Sequence, residues 1–290
     1  MRFSEAALKA GRTLEGIIVS HTNFKQVAEY IEQAVQIGMG TGIFTGARVV
    51  APSGTGKTSL LVHLSQRLQG DAHSNGGIPL ISASLKENPS VSQIQGDLLA
   101  NFNYPLTALS RRTNNNDVNL ILLRAIAQHG TRLVALDEFQ HLFLSGGTKV
   151  ASPVIDWAKR LMNAAKVPLL LLGTEMMDRL EGVDPQLTTR IPTVLHLSPF
   201  LFNEEWGGFL KSLGATYAPV DLSKIYMTHE VALFRATRGS PRLLKGLLVH
   251  AVAIAVTKGE STLTDETLQE AYRMQNGLIT DGENPFVVRR

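Results

Sequence analysis

Eight consecutive residues, Ala51, Pro52, Ser53, Gly54, Thr55, Gly56, Lys57 and Thr58, carry the clearest chemical signal in the chain. Two closely spaced glycines let the backbone turn its N–H groups toward a single anion. A helix starting at this point adds the positive end of its dipole. The lysine after the second glycine can reach the β- and γ-phosphates of a nucleotide, and the hydroxyl of Thr58 can ligate magnesium. Pro52 to Ser59 is therefore the expected phosphate cradle. The usual form of such a loop begins with glycine where Ala51 stands, but a small residue at a strand end fits the same turn. An ordinary strand–turn–helix with a surface lysine is the alternative, and it leaves the agreement of glycines, lysine and hydroxyl unexplained.

Asp137 and Glu138 form the second constellation, at the end of the apolar run Leu133-Val134-Ala135-Leu136. The carboxyl end of a buried parallel strand lies on the same edge of the sheet as the glycine-rich loop. There the first carboxylate can hold magnesium through water, and the second can act as general base on an attacking water. A solvated acidic turn is the alternative, and the apolar run and upstream loop together favour a hydrolytic pair. Thr174, behind Gly173 and another apolar run, either orients the attacking water or touches the γ-phosphate, or else caps a helix over Glu175–Leu180. Arg190 precedes a fifth strand. It is either a surface charge or a group reaching the γ-phosphate of a neighbouring subunit, with Arg179 the weaker competitor. In Gly239-Ser240-Pro241-Arg242, Ser240 suits a helix N-cap and Pro241 the first helical position. Arg242 then lies in a first turn, where the helix dipole disfavours a cation unless an anion is close. That mismatch favours a phosphate-facing role.

These groups need a scaffold to bring them together. Short apolar runs at Ala47–Ala51, Ile78–Ser84, Leu133–Leu136, Val167–Leu172 and Val194–Leu197 read as strands. Between them, apolar residues recur at helical spacing over Phe24–Val35, Leu60–Leu68, Val91–Phe102, Asp117–Ile126 and Pro153–Lys166. Alternating strands and helices imply an α/β domain with a parallel sheet covered on both faces. After Phe200 the strand pattern stops, and helices are expected near Asn203–Leu213, Ser223–Arg238, Pro241–Thr257 and Thr264–Asn276. The expected organisation is an N-terminal arm or extended segment over 1–20, a nucleotide-binding domain over 21–200, a helical domain over 201–276 and a flexible tail over 277–290. In that tail, Phe286 with Arg289 and Arg290 is either a partner-binding peptide or disordered.

A length of 290 residues suffices for one large domain plus an appendage. An apolar content of 44% with 18% charged residues excludes a disordered chain. The absence of cysteine excludes disulfides, thiolate metal sites and cysteine nucleophiles, and suits a reducing cytoplasm. The N-terminus has no apolar signal region, and the longest apolar runs, at Val167–Leu172 and Leu247–Val256, are too short for a bilayer. A soluble cytoplasmic protein without a membrane partner is expected. The net charge of +3 permits nucleic-acid binding without arguing for it. The histidines show no metal-ligand spacing, although His21 lies near a segment that could flank an adenine and His141 follows the acidic pair. Trp157 and Trp206 are expected in the core.

Taken in order, Ala-Pro-Ser-Gly-Thr-Gly-Lys-Thr58, Leu-Asp-Glu-Phe-Gln-His-Leu142, Leu-Leu-Gly-Thr-Glu175 and Gly-Ser-Pro-Arg242 resemble the AAA+ ATPases. Within them the chain is similar, over most of residues 20–275, to the transposition ATP-binding proteins of the TniB/TnsC group, relatives of the phage Mu B protein. The resemblance implies a P-loop NTPase with a three-layer αβα domain, a five-stranded parallel sheet and a small helical lid, using ATP and Mg2+. By it, Lys57 and Thr58 are Walker A, Asp137 and Glu138 Walker B, Thr174 sensor 1, Arg242 sensor 2 and Arg190 the arginine finger. It further implies a homo-oligomeric ring or helical filament on double-stranded DNA, recruitment of a transposase and a link to a target-selection protein of the TniQ type. The DNA-facing surface it suggests comprises Lys86, Gln93, Arg111 and Arg112, whose alternative is ordinary solvated polar residues. Two other AAA+ readings stand beside this one: a helicase loader or initiator relative, and an ExeA-like secretion ATPase.

Overall fold

The computed structural model describes residues 2–69, 77–104, 115–144, 148–277 and 283–287. In chain order, α1 (Glu5–Glu15) and α2 (Thr22–Thr41) precede β1 (Ala47–Val50) and α3 (Lys57–Arg67). Next come β2 (Leu80–Ser84), α4 (Val91–Ala100), α5 (Asn115–Gln128) and β3 (Leu133–Asp137). They are followed by α6 (His141–Leu144), α7 (Thr148–Ala165) and β4 (Leu169–Gly173). A 3-10 segment (Glu175–Arg179), α8 (Leu180–Val183) and α9 (Pro185–Arg190) lead to β5 (Thr193–His196). The last elements are α10 (Glu204–Thr216), α11 (Lys224–Met227), α12 (Glu230–Thr237), α13 (Pro241–Lys258) and α14 (Asp265–Asn276). None of the described helices is by itself long and apolar enough to cross a membrane.

The chain divides into two compact units, one formed by Phe24–Ser53 and Lys57–Leu197, the other by Met1–Asn23, Gly54–Gly56 and Ser198–Arg290. The first holds a five-stranded sheet in the order β2-β3-β4-β1-β5, with every pairing parallel. Strand β4 and β3 up to Leu136 are continuous apolar runs because helices cover both faces, and β4 is buried throughout, while β1 carries the buried Arg48. At the edge, β5 alternates half-buried and exposed residues. The core under β3 and β4 is built from Leu98, Leu122, Phe139, Ile155, Trp157 and Leu171, all at most 3% exposed. Ser90 caps α4 by accepting the Gln93 N–H at 3.3 Å, as the sequence suggests. Helix α7 begins at Thr148, earlier than expected, and carries Pro153 inside it.

The second unit is helical, with a core of Trp206, Leu210, Leu213, Leu244, Leu248 and Leu268. Three departures from the sequence reading lie here. Residues 5–15 are not an extended arm but helix α1, capped by Ser4, whose Oγ accepts the Ala7 N–H at 3.2 Å. Its buried face is Ala7, Ala10, Gly11 and Leu14, and it lies so close to α13 that a Cβ at Gly11 would meet Val249 Cγ1 at 3.2 Å. Small residues at Ala7, Ala10 and Gly11 permit that approach. The helix expected over Ser223–Arg238 is broken into α11 and α12 at Thr228 and His229. There the largely buried His229 turns its Nε2 to within 3.0 Å of Asp265 Oδ1. Third, residues 283–287 of the expected flexible tail are docked. Phe286 is 3% exposed, its backbone oxygen accepts from Gln269 Nε2 at 3.0 Å, and Asn284 Nδ2 donates to the Gln269 carbonyl at 3.1 Å. Arg289 and Arg290 lie outside the described residues.

Candidate active site

The strand order brings three chain segments to one edge of the sheet. β4 lies between β3 and β1, with Val50 in register with Gly173 and Leu136 with Leu171. The carboxyl ends of β1, β4 and β3 therefore present Ala51, Thr174 and Asp137 side by side, at the crossover point where open parallel sheets bind ligands. Ala51 N–H donates to Gly173 O at 2.7 Å, and Phe139 N–H to Leu172 O at 2.9 Å, which stitches the three ends together.

Gly54 and Gly56 have φ of 85° and 110°. These are conformations that side chains other than glycine's resist, so the sequence must place glycine at both. Thr55 is buried and Thr58 exposed. Lys57 opens α3 and is 8% exposed. Its Nζ donates to Ala51 O at 3.1 Å and lies 3.4 Å from Glu138 Oε1.

Asp137 ends β3 and accepts the Glu138 N–H on Oδ1 at 2.7 Å. Burial pushes its carboxyl above the usual carboxylate range, opposed by that hydrogen bond and by Lys57. A half-buried carboxylate at a strand end, near a helix-opening threonine, suits a hard divalent cation. Asp137 and the Thr58 hydroxyl supply the few hard oxygen donors that magnesium takes from a protein while keeping its waters. Among the described residues there is no cluster of three or more His, Asp or Glu that would suit a fully protein-bound metal.

Glu138 has φ of 53°, a left-handed backbone that a non-glycine residue rarely adopts and that recurs at functional sites. This twist turns its carboxylate to Lys57 with one oxygen and to Gln140 with the other, since Gln140 Nε2 donates to Glu138 Oε2. His141 Nε2 stands 4.0 Å from the same Oε2, beyond hydrogen-bond reach. Gln140 Oε1 accepts the Thr174 N–H at 3.3 Å. The sequence reading did not single out Gln140, because its partners are set by the turn after β3 and by the neighbouring strand.

Thr174 precedes the 3-10 segment without a side-chain cap bond, so the capping alternative is not realised. Arg190 ends α9 and its carbonyl accepts the Gly46 N–H at 3.0 Å, just ahead of β1. Its backbone therefore stands at the opposite edge of the sheet from Lys57, Asp137 and Glu138, and the fold does not bring it to the site of its own chain. Arg242 follows Pro241 at the start of α13, where Ser240 caps the helix by accepting the Leu243 N–H at 3.4 Å, as expected. Within the same unit, Arg242 N–H donates to Gly54 O at 3.1 Å. Lys86 is exposed after β2, Gln93 is half-buried in the first turn of α4, and Arg111 and Arg112 lie outside the described residues. His21 is held below its ordinary pKa by burial, although its Nδ1 lies 3.4 Å from Glu205 Oε1. Trp157 and Trp206 are both core residues.

A family model for the bacterial TniB protein matches residues 14–200, well over half of the chain. No curated protein matches. Among solved structures, the fold is similar to the ADP form of the Aeropyrum pernix ORC2 protein, with a TM-score of 0.70 and 16% identity, over 92% of this chain and 74% of that one. The A. pernix ORC1 protein in complex with DNA is similar with a TM-score of 0.66 and 16% identity, over 94% and 70% of the two chains. Cdc6p from Pyrobaculum aerophilum follows with a TM-score of 0.60 and 16% identity, over 87% and 68%. The parallel sheet, the glycine-rich loop, the acidic pair and the family match together place the chain in the bacterial TniB family, as an ATPase of the AAA+ type.

Proposed function

We propose that the chain is an ATP-dependent, DNA-binding regulator of transposition. It assembles as a ring or helical filament on target double-stranded DNA and recruits a transposase, and hydrolysis releases the assembly. The TniB match over residues 14–200 carries this reading. In it, the loop from Pro52 to Ser59 cradles the phosphates and Lys57 neutralises their charge. Thr58 and Asp137 would hold magnesium, which would supply positive charge against the charge that develops on the phosphates. Glu138 takes the proton of the attacking water, and Thr174 orients that water or touches the γ-phosphate. Arg190, turned away from its own site, is suited to reach the site of a neighbouring subunit, and Arg242 to answer the nucleotide from the helical unit. A target-selection protein of the TniQ type is the further partner, and Lys86, Gln93, Arg111 and Arg112 are the DNA-facing candidates.

A second reading, an initiator-type loader, draws on the likeness to the ORC and Cdc6 folds. Electron microscopy of the chain with duplex DNA and a non-hydrolysable ATP analogue, with and without a transposase, separates the two. Nucleotide-dependent assemblies on DNA that retain the transposase are expected. Failure to assemble on DNA overturns the proposal, and assemblies that retain a replicative helicase instead of a transposase favour the second reading.

A further inference from the structure

The bonds around Glu138 lead to a residue outside the phosphate loop and the acidic pair. Gln140 is 6% exposed, so its amide cannot rely on water and must find partners within the fold. It has two. The Thr174 N–H can only donate, so it fixes Oε1 toward β4, and the amide NH2 then necessarily faces the Glu138 carboxylate, which can only accept. The orientation of the amide thus follows from the chemistry of its neighbours. The approach is close enough that a Cβ at Gly173 would lie 2.7 Å from Gln140 Oε1, so the residue before Thr174 must be glycine for the bridge to form. The backbone on each side of Gln140 is tied down as well: Phe139 N–H donates to Leu172 O at 2.9 Å and Phe143 N–H to Gln140 O at 2.9 Å.

We infer that Gln140 is the positioning residue for the Glu138 base, holding one carboxylate oxygen so that the other faces the phosphate side, and coupling that orientation to Thr174 at the end of β4. The inference rests on Glu138 being the base. Oε1 of Glu138 lies 3.4 Å from Lys57 Nζ. Phosphates that draw Lys57 away leave Oε1 open to a water, while Oε2 stays on the Gln140 amide. A carboxylate tethered at one oxygen loses the rotational freedom that would otherwise spoil its aim. Gln140 itself exchanges no proton. Any movement of Thr174 passes through one buried amide to the base.

The test uses the full chain and two variants of nearly unchanged shape. Gln140→Met removes both bonds. Gln140→Glu keeps an acceptor for Thr174 but sets a carboxylate against Glu138. Steady-state ATP turnover, equilibrium binding of a fluorescent ATP analogue and thermal melting are measured together. Both variants are expected to lose about 10- to 100-fold in kcat. Nucleotide affinity should stay within about threefold, as for an interaction made in the transition state alone. Adding Gln140→Met to Glu138→Gln should cost nothing further, because the positioned group is already gone. Unchanged kcat in both variants, a loss matched by weaker binding, or penalties that multiply in the double variant would each overturn the inference. Glu138→Gln decides which idea has failed. If it is inactive while Gln140→Met turns over normally, only the role of Gln140 falls. If it hydrolyses ATP at the wild-type rate, Glu138 is not the base and both fall.

Discussion

Removing Lys57 should separate the stability of the fold from its response to nucleotide. The ammonium donates to Ala51 O at 3.1 Å and pairs with Glu138 Oε1 at 3.4 Å, with the lysine side chain only 9% exposed. Lys57→Ala deletes a charge-assisted hydrogen bond, but it also deletes a desolvated charge, and Glu138 stays partly solvated. These effects oppose each other, so the unliganded fold should change by no more than about 2 kcal/mol. Nucleotide binding has no such compensation. For the wild type, ATP at a hundred times its Kd adds roughly 2.7 kcal/mol, and at about 2–4 °C per kcal/mol for a unit of this size Tm rises by roughly 5–11 °C. If the variant binds at least a hundredfold more weakly, the same ATP concentration adds only about 0.4 kcal/mol, or roughly 1 °C. Melting curves of both proteins with and without Mg-ATP read the difference directly. An ATP-induced rise in Lys57→Ala equal to that of the wild type would refute the placement of the phosphates at Lys57.

Two further predictions concern the helical unit. Burial lowers the pKa of His21, with the bond to Glu205 opposing, so the folded chain holds the ring neutral where the unfolded chain protonates it. Between the lowered folded value and the ordinary 6.5 the unfolded state binds more protons, so stability falls as pH drops below about 6.5. Melting of His21→Leu should lose that part of the acid slope, and an unaltered slope would contradict it. Phe286 fills a closed site against Tyr272 and His229, with ring centroids 6.0 Å away in each case. Phe286→Ala should therefore destabilise this unit by about 3 kcal/mol and expose 283–287 to protease, as measured by denaturant unfolding and limited proteolysis.

What the sequence reveals and what it hides divide along physical lines. The central strands are legible because β3 up to Leu136 and all of β4 are unbroken apolar runs, and a sheet covered on both faces accepts those. The phosphate loop and the acidic pair are legible because their spacing is local. Helix α1 is hidden because only Leu14 on its buried face is large, the rest being Ala7, Ala10 and Gly11, which fit the close approach to α13. The docking of Phe286 is hidden because its partners Gln269 and Tyr272 are brought there by folding alone. Gln140 is the sharpest case. In the sequence it is one amide among many, and its meaning comes from Thr174 on the neighbouring strand and from the left-handed turn at Glu138. Arg190 shows the reverse: its position ahead of β5 is legible, but the register that sets it at the far edge of the sheet is not.

The central claim is that Glu138 serves hydrolysis and not nucleotide binding. Glu138→Gln keeps the side-chain length and removes the base. Measured side by side, ATP affinity in this variant should stay near the wild-type value while turnover falls by about 100-fold or more. Turnover at the wild-type rate with ATP bound normally would contradict the account.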